Sequence, residues 1–111
     1  MHLYVELWNA RPEWLALPAD KRGELMTKLG AAVPALVQTG IQLVGFARCD
    51  ADVPHRAAYR YLAVWSMPDA SLARTLEEAV EQFGWHRYFE QVNARGDVLP
   101  PAAVLGELAT L

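Results

Sequence analysis

The sequence predicts one α+β domain in which helices cover a four-stranded antiparallel sheet. Three observations favour this class: segments of alternating apolar residues, segments of helical spacing between them, and a hydrophobic content of 53%. A chain of 111 residues ordinarily forms one domain and buries roughly two-thirds of its unfolded surface. We therefore expect residues 1–111 to form a single domain.

The first strand is predicted from strict alternation over residues 2–8. Leu3, Val5 and Leu7 fall on one face. The opposite face carries aromatic and ionisable side chains, which are His2, Tyr4, Glu6 and Trp8. After a connector at 13–17 that can form a helical turn, apolar residues at helical spacing predict a long helix over 18–39.

Two further strands are predicted in the middle of the chain, over 41–49 and 58–67, with a polar, proline-broken loop at 50–55 between them. In the first of these strands alternation places Phe46 and Arg48 on one face with Gln42 and Val44. In the second, the aromatic-rich face carries Tyr59, Tyr61, Ala63 and Trp65.

The last third of the chain begins with a second long helix, capped by Asp69 and ended by Gly84, where we expect a positive φ. A short amphipathic helix is predicted over 85–92, because apolar residues recur there at positions i, i+3, i+4 and i+7. Residues 94–99 give the weakest strand prediction. An apolar helix over 101–109 follows Pro100.

The resulting order, β-α-β-β-α-β plus a tail helix, is that of a ferredoxin-like domain with both long helices on one face of the sheet. We expect the aliphatic side chains to pack against the helices. The opposite face would then present aromatic side chains, namely Tyr4, Trp8, Phe46, Tyr61 and Trp65. Soluble monomers seldom expose so large an apolar patch, so a homodimer packed sheet to sheet is predicted.

Three aromatic segments resemble a known superfamily. They are Tyr4-Val5-Glu6-Leu7-Trp8, Tyr61-Leu62-Ala63-Val64-Trp65 and Gly84-Trp85-His86-Arg87-Tyr88-Phe89. Together they resemble the dimeric α/β-barrel superfamily and, within it, an uncharacterised bacterial family with a Gly-Trp-x-x-Tyr-Phe segment. The resemblance implies a dimer and a ligand cavity between sheet and helices.

The candidate site follows from the aromatic face. Pockets are mainly apolar with a few polar anchors, and the candidate substrate-binding residues are Tyr4, Trp8, Phe46, Tyr61, Trp65, Trp85 and Tyr88. The candidate catalytic residues are Glu6, Arg48 and His86, since a carboxyl group among aromatics can act as a general acid or base. The structural alternatives are a filled dimer interface, a Glu6–Arg48 ion pair and a hydrogen-bonded structural histidine.

Several function classes are disfavoured by composition. A net charge of −3 argues against nucleic-acid binding, and no apolar run approaches a membrane span. The single Cys49 cannot form an intrachain disulfide, and the three histidines lack metal-ligand spacing. We expect no metal and no cofactor. The N-terminus has no signal-peptide pattern, so a cytoplasmic location is expected.

The leading functional hypothesis is a small-molecule-binding protein, with cofactor-independent oxygenase or isomerase chemistry on an apolar or aromatic compound. The alternative is a non-catalytic dimeric module, structural or stress-related, whose aromatic face is all interface. A third hypothesis is haem binding, because haem-degrading members of the superfamily use an Asn, a Trp and a His. Asn9, Trp65 and His86 are residues of those types.

Overall fold

Four strands and five helices follow one another in a computed structural model that describes residues 1–111. The strands are β1 (His2–Ala10), β2 (Gln42–Arg48), β3 (Tyr61–Met67) and β4 (Phe89–Asp97). The helices are α1 (Pro12–Leu15), α2 (Ala19–Gln38), α3 (Ala70–Phe83), α4 (Trp85–Tyr88) and α5 (Pro101–Ala109). The predicted α+β class is confirmed.

The strands form one open sheet in the order β2-β3-β1-β4, and every neighbouring pair is antiparallel. The two central strands are therefore β1 and β3. Tyr4 lies between Trp65 and Arg95, and Glu6 lies between Ala63 and Asn93. Because directly paired residues point to the same side, this register places the aromatic residues of β1 and β3 on one face.

The helices pack against that aromatic face, so the predicted facing of the sheet is wrong. The core consists of Tyr4, Ile41, Ala63, Trp65, Met67, Ala73 and Leu76. Covering Tyr and Trp removes more apolar area from water than covering Leu and Val of β1 would. The Tyr4 hydroxyl and the Trp65 indole N–H also find acceptors on this side, which satisfies their polar groups when buried.

The aliphatic face of the sheet is consequently the uncovered one. Leu3 is exposed, and Val5, Leu7, Leu62 and Val64 are only partly buried. On the neighbouring edge strand, Val92 is exposed as well. The uncovered face is therefore apolar over its centre.

A bulge in β2 also breaks the predicted alternation. The register with β3 shifts between Leu43 and Gly45, and the intervening Val44 is left unpaired and exposed. Leu43 pairs with Trp65 and Phe46 pairs with Ala63, so both lie on the aromatic face. Strict alternation had separated these two residues.

The positive φ expected at Gly84 is confirmed, but the helix that follows is shorter than predicted. The Asp69 side chain accepts hydrogen bonds from the backbone N–H groups of Ser71 and Leu72, and Gly84 has φ 79°. Helix α4 ends at Tyr88, and β4 already begins at Phe89, which pairs with Ala10. The predictions of helix over 85–92 and strand over 94–99 are wrong at this boundary. Trp85 and Phe89, whose four-residue spacing suggested the longer helix, instead stack on each other across the junction between α4 and β4.

The C-terminal helix α5 forms as predicted, but all of its residues are exposed. The chain is correspondingly extended. Its radius of gyration is 16.2 Å, against about 13 Å for an average domain of this length. None of the five helices combines the length and apolar character needed to cross a bilayer.

Candidate functional site

A cavity of about 370 Å³ lies between the aromatic face of the sheet and the helices α2 and α3. Sixteen of its 17 lining residues are hydrophobic, and the exception is Glu6. Helix α2 contributes aliphatic side chains such as Leu29, Val33 and Leu36, while α3 contributes Leu76 and Val80. We call this space the apolar cavity. Its size and lining are typical of small-molecule sites.

Most of the predicted substrate-binding residues border this cavity. The lining includes Trp8, Phe46, Tyr61, Trp65 and Trp85. Their rings contact one another, with Trp8 stacked on Tyr61 and meeting Phe46 and Trp85 edge to face. The wall opposite α2 and α3 is thus a connected aromatic surface.

Two of the predicted substrate-binding residues lie elsewhere. The Tyr4 ring belongs to the core, and its hydroxyl donates to Glu77 Oε2 at 2.9 Å. Tyr88 does not line the apolar cavity; its ring contacts Trp14 and the guanidinium of Arg87.

The Glu6 carboxylate is held by two neutral N–H donors. Oε1 accepts from Trp65 Nε1 at 2.6 Å, and Oε2 accepts from Gln91 Nε2 at 2.7 Å. The residue is 6% exposed. The Gln91 amide is fixed in turn, because its Oε1 accepts from Trp85 Nε1 at 2.7 Å. Two indoles and one amide therefore fix the orientation of this carboxylate.

Burial raises the pKa of Glu6, because the charged form loses hydration in the apolar cavity. The hydrogen bonds from Trp65 and Gln91 and the nearby His86 oppose that rise, since each favours the carboxylate. No cation forms an ion pair with Glu6. A carboxyl group with a raised pKa in an apolar site is suited to act as a general acid or base.

A second, smaller space of about 120 Å³ lies on the other side of Glu6, between α3 and β4. Glu6 lines both spaces, together with Leu76 and Val80. We call this space the polar cavity, because its other lining residues all carry hydrogen-bonding groups: Tyr4, Glu77, Glu81, His86, Gln91 and Asn93. No three His, Cys, Asp or Glu side chains group together as metal ligands would.

Comparisons with known proteins identify a family over the whole chain. Residues 1–111 match a family of unknown function, DUF6616. The chain belongs to that family. No curated protein matches this DUF6616 chain.

Among solved structures, this DUF6616 chain is similar to a VAO-type flavoprotein, MtVAO713, from Myceliophthora thermophila C1. The TM-score is 0.52 at 16% sequence identity. The match covers 86% of the DUF6616 chain and 17% of the flavoprotein, so the chain spans less than a fifth of that protein's length. At this identity the likeness concerns the fold alone.

The other two predicted catalytic residues of the DUF6616 chain are not in the apolar cavity. Arg48 is exposed at the end of β2 and forms none of the chain's ion pairs, so the predicted alternative of a Glu6–Arg48 pair is absent. His86 lines the polar cavity, with Nε2 4.0 Å from Glu81 Oε2. Of the three, only Glu6 faces the aromatic wall.

The three residues of the haem-binding hypothesis, Asn9, Trp65 and His86, are not brought together. The Asn9 side chain donates to the carbonyl oxygen of Ala58 and accepts from the backbone N–H of Arg60, which fixes the end of β1 to the segment before β3. Trp65 donates to Glu6, and His86 lies on the polar cavity. Asn9 lines neither cavity.

Two site residues, Gln91 and Glu77, were not predicted from the sequence. Gln91 was placed inside a predicted helix, whereas in β4 it lies beside Trp8 and on the same face as Glu6. A strand predicted to begin at Phe89 would have placed Gln91 on the same face as Glu6. Glu77 lies on α3, outside the predicted aromatic face, and only the fold shows that Tyr4 and Arg95 both donate to it.

Proposed function

We propose that this protein binds a flat apolar or aromatic compound in the apolar cavity and that Glu6 transfers protons to and from it. The observation that carries the proposal is the composition of the cavity, where one carboxyl group faces sixteen hydrophobic residues. Flat rings complement the aromatic wall formed by Trp8, Phe46 and Tyr61. The Glu6 carboxyl group, the one acidic group of the lining, then determines the orientation of the ligand.

The reaction class that fits best is isomerisation by proton transfer. Glu6 as a carboxylate removes a proton from an acidic carbon, which leaves an enolate, and Glu6 as the carboxylic acid returns the proton at another carbon. The atoms balance without any further reactant. A cofactor-independent oxygenase would begin with the same proton removal but would also need O₂, so we favour the isomerase.

Deuterium uptake by a flat bicyclic ketone tests this proposal. We expect wild-type protein to accelerate exchange of the α-protons of 2-tetralone in D₂O, followed by NMR. Glu6→Gln keeps the size of the side chain but removes the base, and a loss of about 10²-fold or more is expected. The matched control is Glu78→Gln, an exposed carboxylate of α3 that lines neither cavity, and it should keep the rate. Equal exchange by wild type and Glu6→Gln contradicts the proposal.

We further propose a ferredoxin-like subunit that forms a homodimer as in the dimeric α/β barrels. The strand order β2-β3-β1-β4 and the placement of α2 and α3 on one face support that subunit type. The dimer contact differs from the one expected from sequence, because the aromatic face lies beneath the helices. The uncovered aliphatic face around Val5, Leu7 and Val64 is the proposed contact.

The surface area supports a second copy as the occupant of that face. The chain exposes 7589 Å², whereas a monomer of this mass exposes about 6,100 Å² on average. The excess, about 1,500 Å², exceeds the roughly 800 Å² that each partner buries in a standard interface. Helix α5, with exposed Val104, Leu105 and Leu108, contributes to this excess.

A further inference from the structure

We infer that the compound bound in the apolar cavity is uncharged and presents one hydrogen-bond donor to Glu6, and that carboxylates and phosphates are rejected. This inference rests on the proposed function and specifies its ligand. It comes from the arrangement of charges and donors around the two cavities.

The apolar cavity offers no counter-charge to an anion. Glu6 is the only Asp or Glu in its lining, and no Lys, Arg or His side chain lines it. The nearest histidine, His86, lines the polar cavity together with Glu77 and Glu81. Arg95, the basic residue of β4, donates to Glu77 at 3.2 Å. The charged groups on the polar-cavity side of Glu6 are therefore mostly negative or already paired.

The side-chain donors that bind Glu6 or Gln91 are committed to protein acceptors. Trp65 donates to Glu6, and Trp85 donates to Gln91. The amide of Gln91 donates to Glu6 and to Asn93 Oδ1. An anionic group placed beside Glu6 would thus meet a like charge and no free donor from these side chains. Two negative charges about 4 Å apart repel strongly even at an effective dielectric constant of about 20.

The carboxylate keeps capacity to accept. Each of its oxygens has two lone pairs and receives one hydrogen bond from the protein. A ligand O–H or N–H can fill one of the remaining positions, as can the acidic C–H of an enolisable carbonyl compound. A ligand without a donor leaves this buried carboxylate unsatisfied on the cavity side, which weakens binding.

Three naphthalenes of nearly equal shape test the inference by isothermal titration calorimetry at pH 7.5. 2-Naphthol is uncharged and carries a donor, 2-naphthoate is ionised, and 2-methoxynaphthalene is uncharged without a donor. We expect 2-naphthol to bind about tenfold or more tightly than either of the others. In Glu6→Gln the disadvantage of 2-naphthoate relative to 2-naphthol should fall below about threefold. Glu78→Gln, which changes an exposed carboxylate outside both cavities, should leave the order unchanged.

The outcomes separate the inference from the function on which it rests. Binding of 2-naphthoate to wild type as tightly as 2-naphthol overturns the rejection of anions but leaves small-molecule binding intact. Equal binding of 2-methoxynaphthalene overturns the requirement for a donor. Binding of none of the three, with a wild-type circular dichroism spectrum, overturns the proposed function and the inference together.

Discussion

The indole N–H of Trp65 donates to the carboxylate of Glu6 at 2.6 Å, between diagonal neighbours on the two central strands. Both side chains lie on the helix-covered face, and both are buried. The contact gives the indole an acceptor and gives the buried carboxylate one of its two donors. The site and the core therefore depend on the same hydrogen bond.

Removing that donor should destabilise the fold. Trp65→Phe leaves one oxygen of a buried carboxylate without its N–H partner, and we expect a loss of about 2–4 kcal/mol from the missing bond and the lost ring area. The free energy of unfolding from urea titration measures this. Trp14→Phe is the control, because Trp14 contributes ring contacts but no hydrogen bond to Glu6. Equal losses in the two variants would contradict a special role for the Trp65 N–H.

The pH dependence of stability should reveal the burial of Glu6. Because burial raises its pKa in the folded state, the folded protein binds the proton more tightly than the unfolded chain does. The contribution to stability is complete below the unfolded pKa, near the ordinary value of 4.5, and is lost as pH rises through the folded pKa.

The measurement is the difference in unfolding free energy between wild type and Glu6→Gln across that range. We expect the difference to shift against wild type as pH increases from below 4.5. Asp69 and Asp97, whose pKa values are lowered by hydrogen bonds from Ser71 and His2, give the opposite slope but are present in both proteins. A pH-independent difference would show that Glu6 titrates alike in both states.

The hydrogen bond between Tyr4 and Glu77 should contribute modestly to stability. Tyr4→Phe removes the hydroxyl of a fully buried ring, and we expect a loss of about 0.5–1.5 kcal/mol. The loss stays small because Glu77 is partly exposed and keeps its contact with Arg95. Thermal unfolding compared with Tyr59→Phe, a tyrosine outside the core, measures it. A cost above 3 kcal/mol would contradict this explanation.

Two glycines should respond oppositely to alanine. Gly84 has φ 79°, so Gly84→Ala should cost about 1 kcal/mol although the new Cβ would meet no atom within 4 Å. Gly30 lies inside α2, also with open space around it, and Gly30→Ala should stabilise by about 0.5–1 kcal/mol. Urea titrations of both variants give the signs. Stabilisation by Gly84→Ala would show that the left-handed turn is not required.

The proposed dimer contact predicts a specific response to charge. Val64→Asp places a carboxylate at the centre of the uncovered face and should give the 12.4 kDa monomer in light scattering at micromolar concentrations, where wild type gives twice that mass. Val53→Asp in the loop before β3 should remain dimeric. A wild-type mass of 12.4 kDa at all concentrations would contradict the dimer.

The sequence predicted which residues form strands and helices better than it predicted which face they bury. Alternation places Tyr4 and Glu6 on one side of β1 and Val5 on the other, but it does not say which side faces the helices. We assigned the aliphatic side to the core, whereas the larger area of the aromatic rings and their need for acceptors favour the opposite arrangement. The bulge at Val44 depends on how β2 pairs with β3. That pairing cannot be deduced from the sequence of β2 alone.

Only part of the candidate site was predicted, because alternation shows which residues of one strand share a face but not which other elements meet that face. Glu6 and Trp65 share the face that alternation assigned them, so both were among the predicted residues. Gln91 was missed because the aromatic spacing of Trp85 and Phe89 resembles a helix, although the two rings stack across a helix-to-strand junction. Arg48 was included on strand parity, yet it lies at the exposed end of β2.

A crystal structure of the protein with 2-naphthol tests the central claim most directly, because it shows whether Glu6 faces a bound molecule. The account predicts the ring system against Trp8 and Tyr61 in the apolar cavity, with the ligand oxygen about 2.5–3.2 Å from a carboxylate oxygen of Glu6. A cavity that stays empty at saturating ligand, or a ligand whose oxygen points away from Glu6, would contradict it.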